Sequence, residues 1–326
     1  MRKLISLALA LVMILSLSTV AFAAENNNKL DVAPVVPKTY KVNNGMAPAE
    51  IFTYKFEGQS YVNGDDQTVA DAIIPAIADV TISFDAISAD FSKSVTATID
   101  ADDYELGVYT YKVTEVAGNT AGVTYSDEEL YLVLTILRDE NNGRHYVAAM
   151  HYQSASGKDK STGFTNEYDA GTLTVTKDIK GNMADMDKEF AFTIVFTAPA
   201  NEVVKSAITV TKPDQSTETI TFAEGANTHT YNINLGDDDT VTFANIPEGV
   251  TYTVSEDAEN YTPEHTTVAD GTIGASETDA DKWTNTLEKG VDTGISMDSV
   301  PYVLLLAVAT LGLAVLFTKK RMMREF

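Results

Sequence analysis

Apolar and polar residues alternate along much of the chain, and this alternation is typical of half-buried β-strands. One such stretch, Tyr109–Glu115, turns two tyrosines, a valine and finally Glu115 to the same face. A second stretch, Tyr252–Glu256, ends in the same way, with Glu256 on the apolar face. A glutamate is almost never fully buried unless it is paired, so each strand predicts a partner for an inward carboxylate.

The same alternation turns two lysines and two asparagines toward the apolar side of their strands, and they are Lys38, Asn166, Lys177 and Asn285. Taken singly, each has an ordinary structural explanation. An inward lysine snorkels at a strand end, and an asparagine begins a turn. Together with the two glutamates, however, they give the order Lys, Glu, Asn twice along the chain, which indicates two sites of one kind.

The other alternating runs predict an all-β protein made of two tandem β-sandwich domains. A hairpin is expected where Asp139–Gly143 joins two apolar runs, since Gly143 suits a positive φ. Gln67–Ala76 is expected to form a helical turn. The predicted strands, beyond those named above, are Ile51–Phe56, Val80–Phe84, Ser94–Ile99, Glu129–Arg138, Arg144–Tyr152, Phe190–Thr197, Ala207–Thr211, Glu218–Phe222, His229–Leu235 and Thr240–Phe243.

Both ends of the chain differ from this pattern. Residues 1–23 have a basic start, an apolar run and a small-x-small ending at Ala23, which predicts a secretory signal peptide. An uncleaved anchor helix is the alternative. The apolar run 301–317 followed by Lys319, Lys320 and Arg321 predicts a short transmembrane helix with an internal basic tail.

Composition limits the possible functions. A chain of 326 residues suits two domains, and its formal charge of -24 argues against a nucleic-acid partner. It contains no cysteine, so an exported protein of this sequence has no disulfide to stabilise it. Acidic Asp100–Asp103 matches no EF-hand spacing, and His145 and His151 have no evident co-ligands. We therefore expect no metal and no cofactor.

The motifs V-P-K38, Y-K-V-T-E115 and F-T-N166, then V-T-K177, Y-T-V-S-E256 and W-T-N285, resemble those of Gram-positive backbone pilins. These proteins carry intramolecular Lys–Asn isopeptide bonds promoted by a buried glutamate. The resemblance implies bonds from Lys38 to Asn166, promoted by Glu115, and from Lys177 to Asn285, promoted by Glu256. It also implies an FctA-type pilin domain at 24–169 and a CnaB-type or related Ig-like domain at 170–289.

The chemistry that this resemblance implies depends on burial. An apolar site favours the uncharged form of a lysine amine and of a carboxyl group. A neutral amine is a nucleophile, and the neighbouring glutamate is expected to hydrogen-bond and polarise the asparagine carbonyl and to pass protons as ammonia leaves. Because forming the Lys–Asn amide would be a single self-modification, the protein is not expected to be an enzyme.

The segment 290–326 resembles a sortase sorting signal. It contains Val291-Asp292-Thr293-Gly294 before the apolar run, although the leucine and proline of the common signal are missing. The resemblance implies cleavage between Thr293 and Gly294, a cell-surface location in a pilus or on the wall, and an acceptor lysine in the first domain. Lys160 is preferred for that role over Lys158, and a solvated lysine is the alternative for both. A plain type I membrane protein is the alternative for the whole segment.

Three classes of function remain. The first is a pilus shaft subunit, with sortase, peptidoglycan, other copies of the chain and other pilins as partners. The second is a monomeric wall-anchored adhesin or a minor pilin with isopeptide-stiffened stalk domains. The third is a surface enzyme, which is disfavoured because no Ser-His-Asp, His-Glu-x-x-His or Gly-rich phosphate-binding pattern is present. Because both domains carry the stalk-like motifs, the shaft subunit is favoured.

Overall fold

The computed structural model describes residues 33–154, 163–265, 270–290 and 300–322. Within these ranges the chain forms two β-sandwiches in tandem. The first sandwich contains strands β1 to β9, and the second contains β10 to β19. The all-β prediction is confirmed for both.

The first sandwich packs a four-stranded sheet in the order β4-β1-β9-β6 against a five-stranded sheet in the order β3-β2-β5-β7-β8. Aromatic side chains join the sheets, as when the rings of Tyr40 and Phe52 meet edge-on with centroids 5.2 Å apart. A short 3-10 helix lies at Ala101–Asp103. The strands are β1 (Val35–Val42), β2 (Glu50–Asn63), β3 (Val80–Phe84), β4 (Phe91–Thr96), β5 (Gly107–Val116), β6 (Val123–Thr124), β7 (Glu129–Arg138), β8 (His145–Ser154) and β9 (Phe164–Tyr168).

The second sandwich has a six-stranded sheet in the order β13-β12-β15-β10-β19-β17 and a four-stranded sheet in the order β14-β11-β16-β18. Phe196 and Phe243 meet across the core with centroids 5.2 Å apart. The strands are β10 (Ala170–Lys180), β11 (Phe190–Thr197), β12 (Ile208–Thr211), β13 (Thr217–Ile220), β14 (Thr228–Leu235), β15 (Thr240–Pro247), β16 (Thr251–Glu256), β17 (Thr262–His265), β18 (Asp270–Thr272) and β19 (Thr278–Thr286).

The two sandwiches share one arrangement of their first and last strands. Strand β1 pairs in parallel with β9, and β10 pairs in parallel with β19. Alternating side chains of all four strands face the cores, as their sequences predicted. This pairing brings residues from the two ends of each sandwich next to each other in one sheet.

Strand β9 leads into β10 with only Asp169 between them, and further contacts join the two sandwiches. The amide group of Asn245 accepts from the Met46 N–H at 2.8 Å and donates to the Met46 carbonyl at 3.3 Å. Lys205 pairs with both carboxylate oxygens of Glu50 at 3.0 and 3.1 Å. Thr120 donates a 2.6 Å hydrogen bond to the same buried carboxylate.

Two predictions about the first sandwich had different outcomes. The hairpin of β7 and β8 forms with Gly143 at φ 78°, as predicted. The helical turn predicted at Gln67–Ala76 is wrong, because this segment is bound to strand β2. Val69 donates to the Tyr61 carbonyl at 3.0 Å, and Pro75 lacks the N–H that a helix would use.

A single α-helix, α1 (Val300–Met322), lies among the described residues, where the sequence predicted a helix. None of the helices in that described part of the chain has the length and apolar character needed to cross a bilayer. The transmembrane span predicted at 301–317 is therefore not confirmed. The predicted signal peptide, residues 1–23, lies outside the described residues.

Candidate functional site: two buried Lys–Glu–Asn clusters

The first cluster begins with the parallel pairing of β1 and β9. In this register Lys38 lies opposite Phe164, and Tyr40 lies opposite Asn166. Lys38 and Asn166 thus point to the same face of neighbouring strands, with the asparagine two residues further along. Lys38 is 1% exposed and Asn166 is fully buried, so both polar side chains lie inside the core.

Glu115 reaches this pair from the opposite sheet, at the end of β5. Its Oε2 atom lies 2.5 Å from Lys38 Nζ, and its Oε1 atom accepts a hydrogen bond from Asn166 Nδ2. Both side chains of the ion pair are fully buried. One carboxylate therefore holds the amine and the amide nitrogen at the same time, one on each oxygen.

The surroundings of Lys38 are mostly apolar. Its Nζ lies 4.3 Å from the centroid of the Phe52 ring. Among the described residues, Glu115 is the only anion that contacts this amine. Burial lowers the pKa of Lys38 from 10.5 to about 8, although the hydrogen bond and the charge of Glu115 oppose this shift. A neutral amine is therefore far more accessible here than at an exposed lysine.

The carbonyl oxygen of Asn166 has a different partner from the one that the sequence suggested. We expected Glu115 to polarise this carbonyl, but Glu115 contacts the amide nitrogen instead. Asn166 Oδ1 accepts a 2.8 Å hydrogen bond from the backbone N–H of Ser126. Sequence reasoning missed this donor because a backbone N–H is present at every residue except proline and leaves no signal in side-chain pattern.

The second cluster repeats the geometry of the first. Lys177 lies opposite Trp283 and Ile179 lies opposite Asn285 in the parallel pair of β10 and β19. The offset of two residues between lysine and asparagine is therefore the same. Lys177 and Asn285 are both fully buried.

Glu256 completes the second cluster from the opposite sheet, at the end of β16. Its Oε1 atom lies 2.7 Å from Lys177 Nζ and accepts a 2.9 Å hydrogen bond from Asn285 Nδ2. The amine and the amide nitrogen therefore share one carboxylate oxygen here. Glu256 Oε2 and Asn285 Oδ1 have no hydrogen-bond partner among the described residues.

In the second cluster the pKa of the lysine shifts in the same direction as in the first. Lys177 Nζ lies 4.5 Å from the centroid of the Phe190 ring. Burial lowers the pKa of Lys177, and the hydrogen-bonding and charge interactions with Glu256 oppose the shift. In both clusters a lysine whose pKa is lowered by burial lies beside an amide and a carboxylate.

This arrangement is suited to amide exchange. An amine, a carboxylate and a carboxamide held together in a buried core are the groups that nucleophilic attack and proton transfer require. No group of three or more His, Asp or Glu side chains suitable for a metal occurs in the parts of the chain that the structure covers.

The other predicted site residues lie outside the residues that the structure describes. The sorting motif Val291, Asp292, Thr293 and Gly294 lies outside the described residues, as do Lys158 and Lys160. Their predicted roles stay predictions.

Two families match the chain, one for each sandwich. Residues 35–169 match the family described as Spy0128-like isopeptide containing domain. Residues 171–287 match the family described as Domain of unknown function (DUF7601), and the CnaB-type assignment of this region stays a prediction.

Known proteins resemble the chain over most of its length. A curated relative, "Pilin" from Streptococcus pyogenes serotype M1, is 29% identical over 304 residues, which cover 86% of this chain and 87% of that protein. The crystal structure of the major pilin from Streptococcus pyogenes has a TM-score of 0.54 at 22% identity and covers 78% of this chain and 98% of that one. The major pilin protein T3.2 from Streptococcus pyogenes serotype GAS13637 has a TM-score of 0.54 at 18% identity, covering 79% and 98%. The structural matches show a shared fold. The family match over residues 35–169 and the curated relative together confirm the resemblance of this chain to the pilins.

Proposed function

We propose that the chain is a structural pilus subunit of a Gram-positive cell surface, in which each sandwich is closed by a self-formed Lys–Asn isopeptide bond. The observation that carries the proposal is the repeated cluster, in which a buried carboxylate contacts both a lysine amine and an asparagine amide. A buried ion pair contributes little net stability by itself. Two such pairs, each beside an amide at the same strand offset, favour a chemical role.

The reaction at the first cluster can be written from the contacts of Glu115. Glu115 takes one proton from the Lys38 ammonium, which leaves a neutral amine. Nζ then attacks Cγ of Asn166, and the carbonyl electron pair moves to Oδ1. Glu115 gives its proton to Nδ2 and takes a second proton from Nζ as the Cγ–Nδ2 bond breaks. Ammonia leaves, the amide is complete, and Glu115 ends protonated.

Glu256 would perform the same transfers between Lys177 and Asn285. Each site reacts once and consumes its own side chains, so the protein is a self-crosslinking structural protein and not an enzyme. The curated relative named "Pilin" and the major-pilin structures support a structural subunit, since their names describe pilus components.

Assembly is proposed to proceed through the sorting motif. Sortase would cleave between Thr293 and Gly294, and the resulting acyl group would pass to an amine. A lysine of another copy, Lys160 or Lys158, gives a fibre, whereas a peptidoglycan amine gives a wall-anchored monomer. Residues 1–23 would direct secretion.

Intact mass spectrometry tests the crosslinks directly. The exported part, residues 24–293, is purified and weighed under denaturing conditions. We expect a mass below that of the plain sequence by two ammonia molecules. Glu115→Ala should restore one ammonia and Glu256→Ala the other. A wild-type mass equal to that of the plain sequence would overturn the isopeptide proposal.

Cell-wall extracts in boiling denaturant test the assembly. A ladder of high-mass species that is lost in Thr293→Ala, and in either Lys160→Arg or Lys158→Arg, supports a shaft subunit. The arginine variants keep the positive charge and serve as matched changes. A single band from cells that express the accompanying sortase would instead favour the monomeric adhesin or minor pilin.

A further inference from the structure

The carbonyl oxygens of the two reacting asparagines lie in different environments. Asn166 Oδ1 accepts a 2.8 Å hydrogen bond from the Ser126 N–H. Asn285 Oδ1 is buried and has no hydrogen-bond partner among the described residues. In an amide exchange, negative charge develops on this oxygen when the amine attacks, so the difference concerns the reacting atom itself.

We infer that the backbone N–H of Ser126 is an oxyanion donor for bond formation in the first sandwich, and that the second sandwich reacts more slowly because no described residue gives Asn285 an equivalent donor. The inference rests on the isopeptide chemistry proposed above. A donor within about 2.7–3.1 Å of a developing oxyanion stabilises the transition state, and removing one such donor costs about 10²- to 10³-fold in rate.

The N–H of Ser126 is available because the pairing of β6 with β9 ends before it reaches Asn166. Strand β6 pairs with β9 only through Val123 and Thr124, opposite Tyr168 and Glu167. The chain then departs from β9 just before it would pass Asn166. The N–H of Ser126 is therefore not used by a backbone partner and reaches the Asn166 side chain instead.

The equivalent strand of the second sandwich is β17, which also flanks the last strand on the side away from the lysine. Strand β17 remains paired with β19 as it passes the asparagine. Pro263 lies opposite Asn285, and Glu264 and His265 continue the pairing with β19. Pro263 itself has no N–H to donate. Glu264 follows the position opposite Asn285, as Ser126 follows the position opposite Asn166, but Glu264 stays paired with Thr284. Among the described residues, Asn285 Oδ1 therefore has no equivalent donor.

The contacts of the two carboxylates point in the same direction. Glu115 contacts the amine with one oxygen and the amide nitrogen with the other. The proton transfer from the amine and the proton transfer to the amide nitrogen therefore use different carboxylate oxygens. Glu256 uses a single oxygen for both groups. The first cluster is therefore better arranged for the attack and for the departure of ammonia.

The experiment follows both bonds during refolding. The exported part, residues 24–293, is produced as chain that has not yet folded and is dissolved in denaturant, and its intact mass verifies that it is unlinked. It is then diluted into buffer and sampled for intact mass and for crosslinked tryptic peptides, which identify the site. The wild type should close the Lys38–Asn166 bond before the Lys177–Asn285 bond. Closure of the second bond first, or of both at equal rates, would overturn the inference.

Ser126→Pro removes the N–H, and Ser126→Ala keeps it while removing the hydroxyl that accepts from the Glu128 N–H. We expect closure in Ser126→Pro to be slower than in Ser126→Ala by about 10²- to 10³-fold. The Lys177–Asn285 bond of the same molecules should close at the wild-type rate. Equal closure of the first bond in the two variants contradicts the inference.

Folding of the proline variant is checked in chains that cannot link. Asn166→Ala/Ser126→Pro and Asn166→Ala are compared by hydrogen exchange of the first sandwich. If the proline variant does not fold, the order of closure in the wild type decides the matter alone. Failure of the function proposal looks different, because neither bond would then form in the wild type.

Discussion

Asn166 lies on the strand beside Lys38, two residues beyond the position in register with it, and the same offset separates Asn285 from Lys177. In a parallel pair this offset brings two side chains of one face together across the strands. A carboxylate from the opposite sheet then reaches both. The reacting groups are positioned by backbone pairing, so their approach does not depend on a flexible loop.

The first prediction concerns the crosslink of the first sandwich. Asn166→Ala should lower its free energy of unfolding by about 4–5 kcal/mol, the scale expected when a link closes a loop of roughly 100 residues. The measurement is thermal or urea unfolding followed by domain-resolved hydrogen exchange. Asn285→Ala is the matched control and should destabilise the second sandwich by a similar amount. If Asn166→Ala and wild type unfold alike, no link is present.

The second prediction separates the ion pair from the crosslink. Both Asn166→Ala and Glu115→Ala abolish the link, but only Glu115→Ala leaves Lys38 buried without its anion. At neutral pH we expect Glu115→Ala to be less stable than Asn166→Ala by about 3–5 kcal/mol. Urea titrations of the two variants give the difference. It should shrink as the pH is raised, because Lys38 can then remain buried as a neutral amine. A difference that is independent of pH would show that the charge of Lys38 is not its cause.

The third prediction concerns the pH dependence of bond formation. Burial lowers the pKa of Lys38 to about 8, so the Lys38–Glu115 pair loses a proton above this pH. In the proposed reaction Glu115 takes this proton from Lys38 and passes it to Asn166 Nδ2, so the rate of closure should be nearly constant just below pH 8 and fall about tenfold for each pH unit above it. A lysine with an ordinary pKa would keep the proton, and hence the rate, up to about pH 10.4. Refolding into buffers of different pH, followed by intact mass, measures the profile. The refolding rate of Asn166→Ala is the control for folding itself.

The fourth prediction concerns the contact between the sandwiches. Asn245 has a positive φ of 63° and bonds to both backbone groups of Met46. Asn245→Gly tolerates the same φ but lacks the side chain, so the Met46 N–H should exchange about fivefold faster, for a loss of about 1 kcal/mol. The Ala47 N–H bonds within the first sandwich, to the Ile87 carbonyl, and should keep its protection. Equal changes at both amides would indicate a general loosening.

Much of this architecture could be predicted because the alternation of apolar and polar residues indicates which side chains of a strand face the core. The period of two placed Lys38, Glu115 and Asn166 on apolar faces, and the structure buries all three side chains. Several strands, such as Glu129–Arg138 and Phe190–Thr197, have the bounds that their alternation predicted. Short strands were missed, because Val123–Thr124 and Asp270–Thr272 are too brief to show a period.

What could not be predicted depends on partners distant in sequence. Alternation shows which way a side chain points within its strand but not which strand lies beside it, so the parallel pairing of β1 with β9 was not foreseeable from local pattern. The donor role of Ser126 requires both this pairing and the early end of β6. The bonds between Asn245 and Met46 likewise join residues that no periodic signal connects.

The direct passage from β9 into β10 has a mechanical consequence. If both bonds form, the shortest covalent route along the molecule enters at β1, crosses from Lys38 to Asn166, follows β9 into β10, and crosses again from Lys177 to Asn285. A pulling force then travels along this route, and the chain between each lysine and its asparagine carries no load. Every residue that unfolds under force normally lengthens a protein by up to about 3.3–3.6 Å. A molecule built in this way would yield almost none of that length, and would behave under tension as an inextensible rod.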